Sequence, residues 1–335
     1  MNTENLLIIT AHPEFLQAAV AELKQLDKRL TSIEELTPDI MLCGTPDPVE
    51  LMHRAEKERP TFVRHLAPVQ ATADLGNEER DIGIIATAIA SLPAFALLER
   101  GTHFAVQSRF AQTDKSYGGR PYSSGKLNQA LAEAFAEETE AIEDIKKPRV
   151  VISILCTMHK AYLGISTTEE NLSSWPGGAR HFAQTSEQIS RAEFKLLEAL
   201  EVFDITLPKD ARALDLGAAP GGWTRLLLDA GMSVVAVDPA NLDPRIVRRK
   251  RLEHYRGYAE NYLEAALRRH SRFAVIVNDM RMDAREAARL LAKASDCLQT
   301  DGFVVSVFKL PHATREINPL TTLKEAMRIL KERYG

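Results

Sequence analysis

The stretch ALDLGAAPGGWT (Ala213–Thr224) carries a short apolar run into a carboxylate, Asp215, and then into a turn holding Gly217, Gly221 and Gly222. Glycine lets a backbone approach a ligand where a Cβ would collide. A strand that ends in such a turn and enters a helix marks the ligand crevice of an open α/β sheet. About twenty residues on, the next apolar run ends in Asp238, where a carboxylate can accept hydrogen bonds from both hydroxyls of a ribose. The turn reads GAAPGG rather than GxGxxG, and no P-loop pattern occurs in the chain. The pyrophosphate cradles of dinucleotide and nucleoside triphosphate folds are therefore both missing. A ribose-binding acid without a phosphate cradle points to a nucleoside cofactor that carries no phosphates, and S-adenosyl-L-methionine fits. The candidate cofactor-binding residues here are Asp215, Gly217, Gly221, Gly222, Trp223 and Asp238.

The elements that must position this turn alternate between strand and helix. Apolar runs at Ala211–Gly217, Ser233–Asp238, Phe273–Asp279 and Gly302–Lys309 read as strands, with a weaker one at His254–Ala259. Ser190–Phe203, with Ser190 as N-cap, and Trp223–Ala230 read as helices. Continuous apolar strands alternating with helices predict a parallel sheet covered on both faces. Upstream, strands are expected at Leu6–Ala11, Ile40–Cys43, Thr61–Val69 and His103–Phe110, and as a pair at Arg149–Leu155 and Ala161–Ser166. Helices are expected at Pro13–Leu26, Pro48–Glu58, Arg80–Ala90 and Leu92–Arg100, these last two broken near Pro93, and at Lys126–Glu140. Ser116–Lys126 reads as a polar loop, and the Ser-, Pro- and Gly-rich stretch Thr167–Thr185 as a linker or boundary loop, with Trp175 packing at a domain interface.

A length of 335 residues, 45% hydrophobic and 26% charged, is enough for two cores and excludes a disordered chain. Three separated cysteines, Cys43, Cys156 and Cys297, contain no CxxC pair, so neither a disulfide framework nor a zinc knuckle is expected, and a cytoplasmic setting fits. Nine histidines show no HxH or HExxH spacing, no metal is expected, and His159 and His181 read as packing or loop residues. No apolar run has membrane-spanning length, and the first residues lack signal-peptide character. The net charge of -4 hides an asymmetry: residues 1–179 hold 17 basic and 25 acidic side chains, residues 180–335 hold 25 and 21. The second half's basicity concentrates at Arg245, Arg248, Arg249, Lys250 and Arg251, followed by Arg256, Arg268 and Arg269. Such a run can attract a polyanion or simply face solvent.

DLGAAPGGWT, together with SRAEFKL (Ser190–Leu196), VNDM (Val277–Met280) and SVFKLP (Ser306–Pro311), resembles the FtsJ-type RNA 2'-O-ribose methyltransferases. The fuller similarity is to the RlmM type, which modifies a cytidine of large-subunit ribosomal RNA. In the N-terminal half FAVQSR (Phe104–Arg109), SSGKLNQAL and NLSSWPGGARHF (Asn171–Phe182) are similar to its THUMP-containing arm. The resemblance implies an α/β fold: a Rossmann-like methyltransferase domain with a mostly parallel sheet over 176–335, preceded by an α+β THUMP-like RNA-recognition region over 1–175. It implies cofactor contacts at Ser190, Ala219 to Gly222, Asp238 and Asp279. It also implies a Lys-Asp-Lys-Glu tetrad, of which Lys195, Asp279 and Lys309 are the first three members. The tetrad Glu, on a further strand hairpin, has no counterpart before Gly335, five strands are counted where seven are usual, and the chain reads as truncated at its C-terminal strands. Tyr258 stands where the family often has an adenine-contacting Asp.

A ribose 2'-hydroxyl becomes a methyl acceptor when negative charge develops on its oxygen. Two ammoniums close together lower one another's pKa, so one can act as base while the other stabilises charge. Lys309 is read as base or oxygen-steering group, Lys195 as its electrostatic partner, and Asp279 as the carboxylate that holds both. The implied partner is ribosomal RNA, of the large subunit or its precursor, with phosphates along Arg245–Arg251 and near Arg268. A second contact set is the loop with Lys115, Arg120 and Lys126, where Tyr117 and Tyr122 could stack on bases. The alternative reading is a noncatalytic RNA-binding protein that retains the cofactor fold.

Overall fold

Strand β1 (Leu6–Ala11) is buried along its whole length, because both of its faces are covered. Helix α1 (Leu16–Leu26), β2 (Thr31–Thr37), β3 (Ile40–Gly44), α2 (Pro48–Glu58) and β4 (Val63–Val69) follow it. They build an antiparallel sheet in the order β2-β3-β1-β4, a split β-α-β arrangement. Side chains alternate across β1, so Leu6 and Ile8 join Leu42, Leu155 and Tyr162 in a core between this sheet and the next. The computed structural model describes residues 5–111, 119–180, 182, 185–312 and 318–334.

The second sheet contains β5 (Ala71–Asp74), β6 (His103–Phe110), β7 (Ile142–Glu143), β8 (Val150–Cys156) and β9 (Lys160–Thr167), in the order β5-β9-β8-β6-β7. Helices α3 (Asp81–Ala90) and α4 (Ser124–Thr139) cover it through Ile85, Ile89, Leu127, Leu131 and Phe135. Three sequence expectations need correction here. β2 and β5 were not expected: β2 exposes most of its side chains at a sheet edge, so it lacks the apolar pattern that reveals a strand. Leu92–Arg100 breaks from α3 at Pro93 as expected, but it holds only a 3-10 turn at Pro93–Leu97 rather than a helix. The beginning of Thr167–Thr185 is no free linker: Asn171 is buried, donating to the Leu66 carbonyl (2.6 Å) and to Ser166 Oγ (2.9 Å). The first compact unit therefore runs to Arg180, whose guanidinium lies 5.2 Å over the Trp175 ring.

The second unit, residues 181–335, follows the α/β alternation. In chain order it contains α5 (Glu193–Val202), β10 (Arg212–Leu216), α6 (Gly222–Asp229), β11 (Ser233–Val237), α7 (Pro244–Val247) and β12 (Leu252–Tyr255). Then come α8 (Ala259–Arg268), β13 (Phe273–Asn278), α9 (Ala284–Ala294), β14 (Leu298–Ser306) and α10 (Pro319–Tyr334). All the strand pairs are parallel, in the order β12-β11-β10-β13-β14. Leu214, Leu216 and Ile276 face one core with α8 and α9, while Ala213, Val234 and Val275 face another with α5 and α6. The order reverses direction between β10 and β13, so a crevice opens at the carboxyl ends of these two strands. Cys43, Cys156 and Cys297 are buried and free. Among the described residues, no helix is long and apolar enough to cross a membrane.

Candidate active site

β10 ends at Asp215 and Leu216, and the backbone then turns sharply at Gly217, φ +76°. A Cβ on Gly217 would lie 2.3 Å from Met280 Cγ, so the loops after β10 and β13 can meet only over a glycine. Asp215 is fully buried and accepts from Thr224 Oγ1 at 2.6 Å. Burial pushes its carboxyl up to about 7, against the lowering effect of Thr224. Asp238, one residue past β11, splits its oxygens between two backbone donors, Ala219 N–H (3.1 Å) and Ala240 N–H (2.8 Å). Those bonds hold the Gly-rich turn against the end of the neighbouring strand.

The segment before α5 closes the crevice from the other side. Trp223 is buried, and its indole Nε1 donates to the Ala192 carbonyl at 2.6 Å. Gly222 admits this segment, because a Cβ there would stand 2.5 Å from Ser190 Oγ. Glu193, itself buried and paired with Arg225, reaches back to accept from Ile189 N–H (2.7 Å) and Ser190 N–H (3.4 Å). The expected Ser190 N-cap is therefore corrected. The helix starts at Glu193, and the Ser190 hydroxyl caps nothing; its oxygen is buried with no partner among the described residues.

Lys195, Asp279 and Lys309 converge although they are far apart in sequence. Lys195 is the third residue of α5, Asp279 lies one residue past β13, and Lys309 shortly after β14. Asp279 accepts from Lys195 Nζ at 2.9 and 2.8 Å and from Lys309 Nζ at 2.7 Å. Partial burial holds the Lys309 ammonium below the usual lysine range, and the neighbouring Lys195 adds to this while Asp279 opposes it.

All three groups line a cavity of about 580 Å³. Its wall also includes Ser190, Asp215, Gly217, Ala219, Pro220, Gly222, Trp223 and Asp238. Gly221 is not in that wall: it precedes α6 with its α-carbon turned toward Ile246. Tyr258 is 67% exposed at the start of α8 and does not line the cavity. Sequence reading missed Arg191 and Arg281, which do line it. The one available signal was their position, one residue past Ser190 and two past Asp279. Among the described residues, no group of three or more His, Cys, Asp or Glu is arranged to hold a metal ion.

Topology splits the expected phosphate track along Arg245–Arg251: Arg245 stands on α7, after the carboxyl end of β11, and the rest lie at the other edge of the sheet. Arg248–Arg251 immediately precede β12, and Arg268 and Arg269 end α8, so both groups sit where the parallel strands begin. The cavity lies where the strands end, about 15 Å away along a strand of this length. Arg249 is paired with Asp229 and Arg251 with Asp210 (2.7 Å), while Arg245 is held by Asp243 at 2.8 Å. Of the described residues in the second contact set, only Tyr122 is taken out of reach. Tyr122 is buried, donating to Asp81 Oδ2 (3.1 Å), so it cannot stack on a base. Arg120 lies 4.9 Å over the Phe110 ring and Lys126 pairs with Glu79 at 2.8 Å. Lys115 and Tyr117, like His181, lie outside the described residues, and His159 is exposed.

A parallel sheet with this strand order, a glycine turn and an acid at each of the first two strand ends defines a Rossmann-like unit. Residues 188–323 match the model of the FtsJ-like methyltransferase family, and residues 79–166 match that of the THUMP domain. The chain thus carries an FtsJ-like methyltransferase domain with a THUMP domain ahead of it; the first sheet lies outside both matches. The ribosomal RNA large subunit methyltransferase M of Azotobacter vinelandii is 31% identical over 138 residues, 39% of this chain and 38% of that protein. That of Pseudomonas entomophila is 28% identical over 206 residues, 59% of this chain and 54% of that protein. The matches thus span between about a third and a half of these relatives' length. Among solved structures, TrmN from Thermus thermophilus aligns with a TM-score of 0.42 at 18% identity, covering 90% of this chain and 88% of that one.

Proposed function

We propose that this chain is an RNA methyltransferase that transfers a methyl group from S-adenosyl-L-methionine to a ribose 2'-oxygen of ribosomal RNA. The acceptor would be a cytidine of the large-subunit RNA or its precursor, and the reaction cytoplasmic. The single observation that carries the reading is the pair of ammoniums on one carboxylate, Lys195 and Lys309 on Asp279, at the mouth of a cavity walled by the glycine turn. The names of the curated relatives support the ribosomal substrate.

The residues fit the cofactor. Gly217 and Gly222 leave room for close approach, the Ser190 hydroxyl lacks a partner, and each Asp238 oxygen keeps acceptor capacity beyond its one backbone bond for a ribose diol. When bound, the cofactor supplies an electrophilic methyl group on a sulfonium. Lys309 holds the ribose 2'-oxygen and takes its proton, since partial burial and the adjacent cation favour its neutral amine. Lys195 stays charged and stabilises the negative charge that develops on that oxygen. Asp279 fixes both amines, so neither reorganises during the reaction. The intact set of three argues against the noncatalytic alternative. For the first unit, division near residues 175–180 suits a separate recognition region.

The test is methyl transfer from labelled S-adenosyl-L-methionine to unmodified large-subunit ribosomal RNA, with the product nucleoside identified by mass spectrometry. The expected product is 2'-O-methylcytidine, lost in Lys309→Ala. A base-methylated nucleoside, or transfer undiminished by that substitution, overturns the reading.

A further inference from the structure

The cavity mouth has two cations that the chemistry above leaves unused. Arg191 and Arg281 both line it, both are exposed, and neither has an ion-pair or hydrogen-bond partner for its guanidinium among the described residues. This sets them apart from Arg225, Arg245, Arg249, Arg251 and Arg285, each held by a carboxylate of its own domain. They also flank the reacting groups from two elements. Arg191 lies one turn before Lys195, and Arg281 two residues past Asp279. The Lys195–Asp279 pair, at 2.8 Å, ties those two segments together.

We infer that Arg191 and Arg281 are positioning residues that grip the phosphates on either side of the nucleotide being methylated; this rests on the reading that the acceptor is an RNA ribose. A 2'-hydroxyl in a polynucleotide lies between the phosphate of its own nucleotide and the next one. Any ribose brought to Lys309 therefore brings two anions to the cavity rim. Arg281 and Arg191 meet that charge with planar guanidiniums, which bind phosphate oxygens in pairs. Exposure separates their task from the cofactor's. The unpartnered Ser190 hydroxyl and Asp215 are buried in the wall, whereas the two arginines are open to a ligand arriving from outside. Nearby carboxylates do not compete: Asp279 is occupied by two lysines and Asp238 by two backbone donors.

The full chain and its Arg191→Ala, Arg281→Ala and Arg281→Lys variants would be compared on an unmodified large-subunit RNA transcript. Arg248→Ala, at the far edge of the sheet, is the control. Each alanine variant should raise KM for RNA about tenfold with kcat nearly unchanged. Each should also lower the slope of log K against log salt by about 0.7, the loss of one phosphate contact on a single strand. Arg281→Lys should keep the slope and recover some of the affinity; Arg248→Ala should match wild type. Unaltered KM and slope in both alanine variants overturn the inference and leave the proposed reaction standing. Weakened binding of S-adenosyl-L-methionine by Arg191→Ala or Arg281→Ala overturns it too, since the arginine would then serve the cofactor. A wild-type chain that neither binds nor methylates the transcript removes the proposed reaction and the inference together.

Discussion

Lys309 and Lys195 face one carboxylate, so the balance between them is a matter of a few ångströms. Because Lys309 is held below the ordinary lysine range, the transfer rate should rise with pH to a plateau whose midpoint lies below about 10.4, the free lysine value. Removing the neighbouring cation in Lys195→Ala should move that midpoint upward. A pH profile of single-turnover rates checks this, and a midpoint that stays or falls contradicts it. Asp215 is the opposite case, a carboxyl raised to about 7 by burial. Between pH ~4 and ~7 the native chain binds more protons than the unfolded one. Stability from this group is therefore full at the acidic end and is lost as pH rises through about 7. Asp215→Asn should abolish that slope, so its melting curve should gain on wild type from pH 5 to pH 8; parallel curves would show that Asp215 does not titrate there.

At the scale of elements, close approach decides more than propensity does. β4 and β9 meet so tightly that a Cβ on Gly164 would lie 1.9 Å from the Pro68 carbonyl oxygen. Gln70 fastens the same place, donating to the Ile165 carbonyl (3.1 Å) and accepting from the Ile165 N–H (2.8 Å). Gly164→Ala must push these backbones apart, and it should cost about 1–3 kcal/mol or more in urea unfolding. A loss below a few tenths would mean that the sheets slide freely. Nothing in ISILCTMHKAYLGIST announces that contact, since Gly164 reads only as a glycine within a strand. Elements with strong apolar periods, such as β1, β8, β10 and β13, were legible to within a residue or two. The polar edge strand β2 and the proline-started 3-10 turn at Pro93 were not, because their form depends on neighbours rather than on local pattern.

At the scale of the whole molecule, charge and burial divide differently between the two units. His65 is buried in the first, beneath a core shared by both sheets, and burial with nearby Arg109 lowers it to about 4. Its stabilising contribution is present above the unfolded value near 6.5 and is lost as pH falls toward 4. The first unit should therefore lose stability in that window, and His65→Gln should flatten the loss. Urea midpoints between pH 4 and 7 measure it, and an equal acid slope in both proteins would contradict it. The acidic first unit and the basic second one were visible by counting, but counting put the RNA contacts on Arg245–Arg251. The order of DLGAAPGGWT, Asp238 and the apolar runs by itself determined the α/β class and the crevice, because motifs at strand ends are local; Lys195, Asp279 and Lys309 were singled out only through the family resemblance. Only the tertiary structure decided that Arg248–Arg251 lie at the edge of the sheet opposite the cavity, that the Ser190 hydroxyl has no partner among the described residues, and that Arg191 and Arg281 stand at the cavity mouth. Which end of a parallel strand a charge occupies, and whether a carboxylate already holds it, depend on residues distant in sequence and are therefore absent from any local pattern.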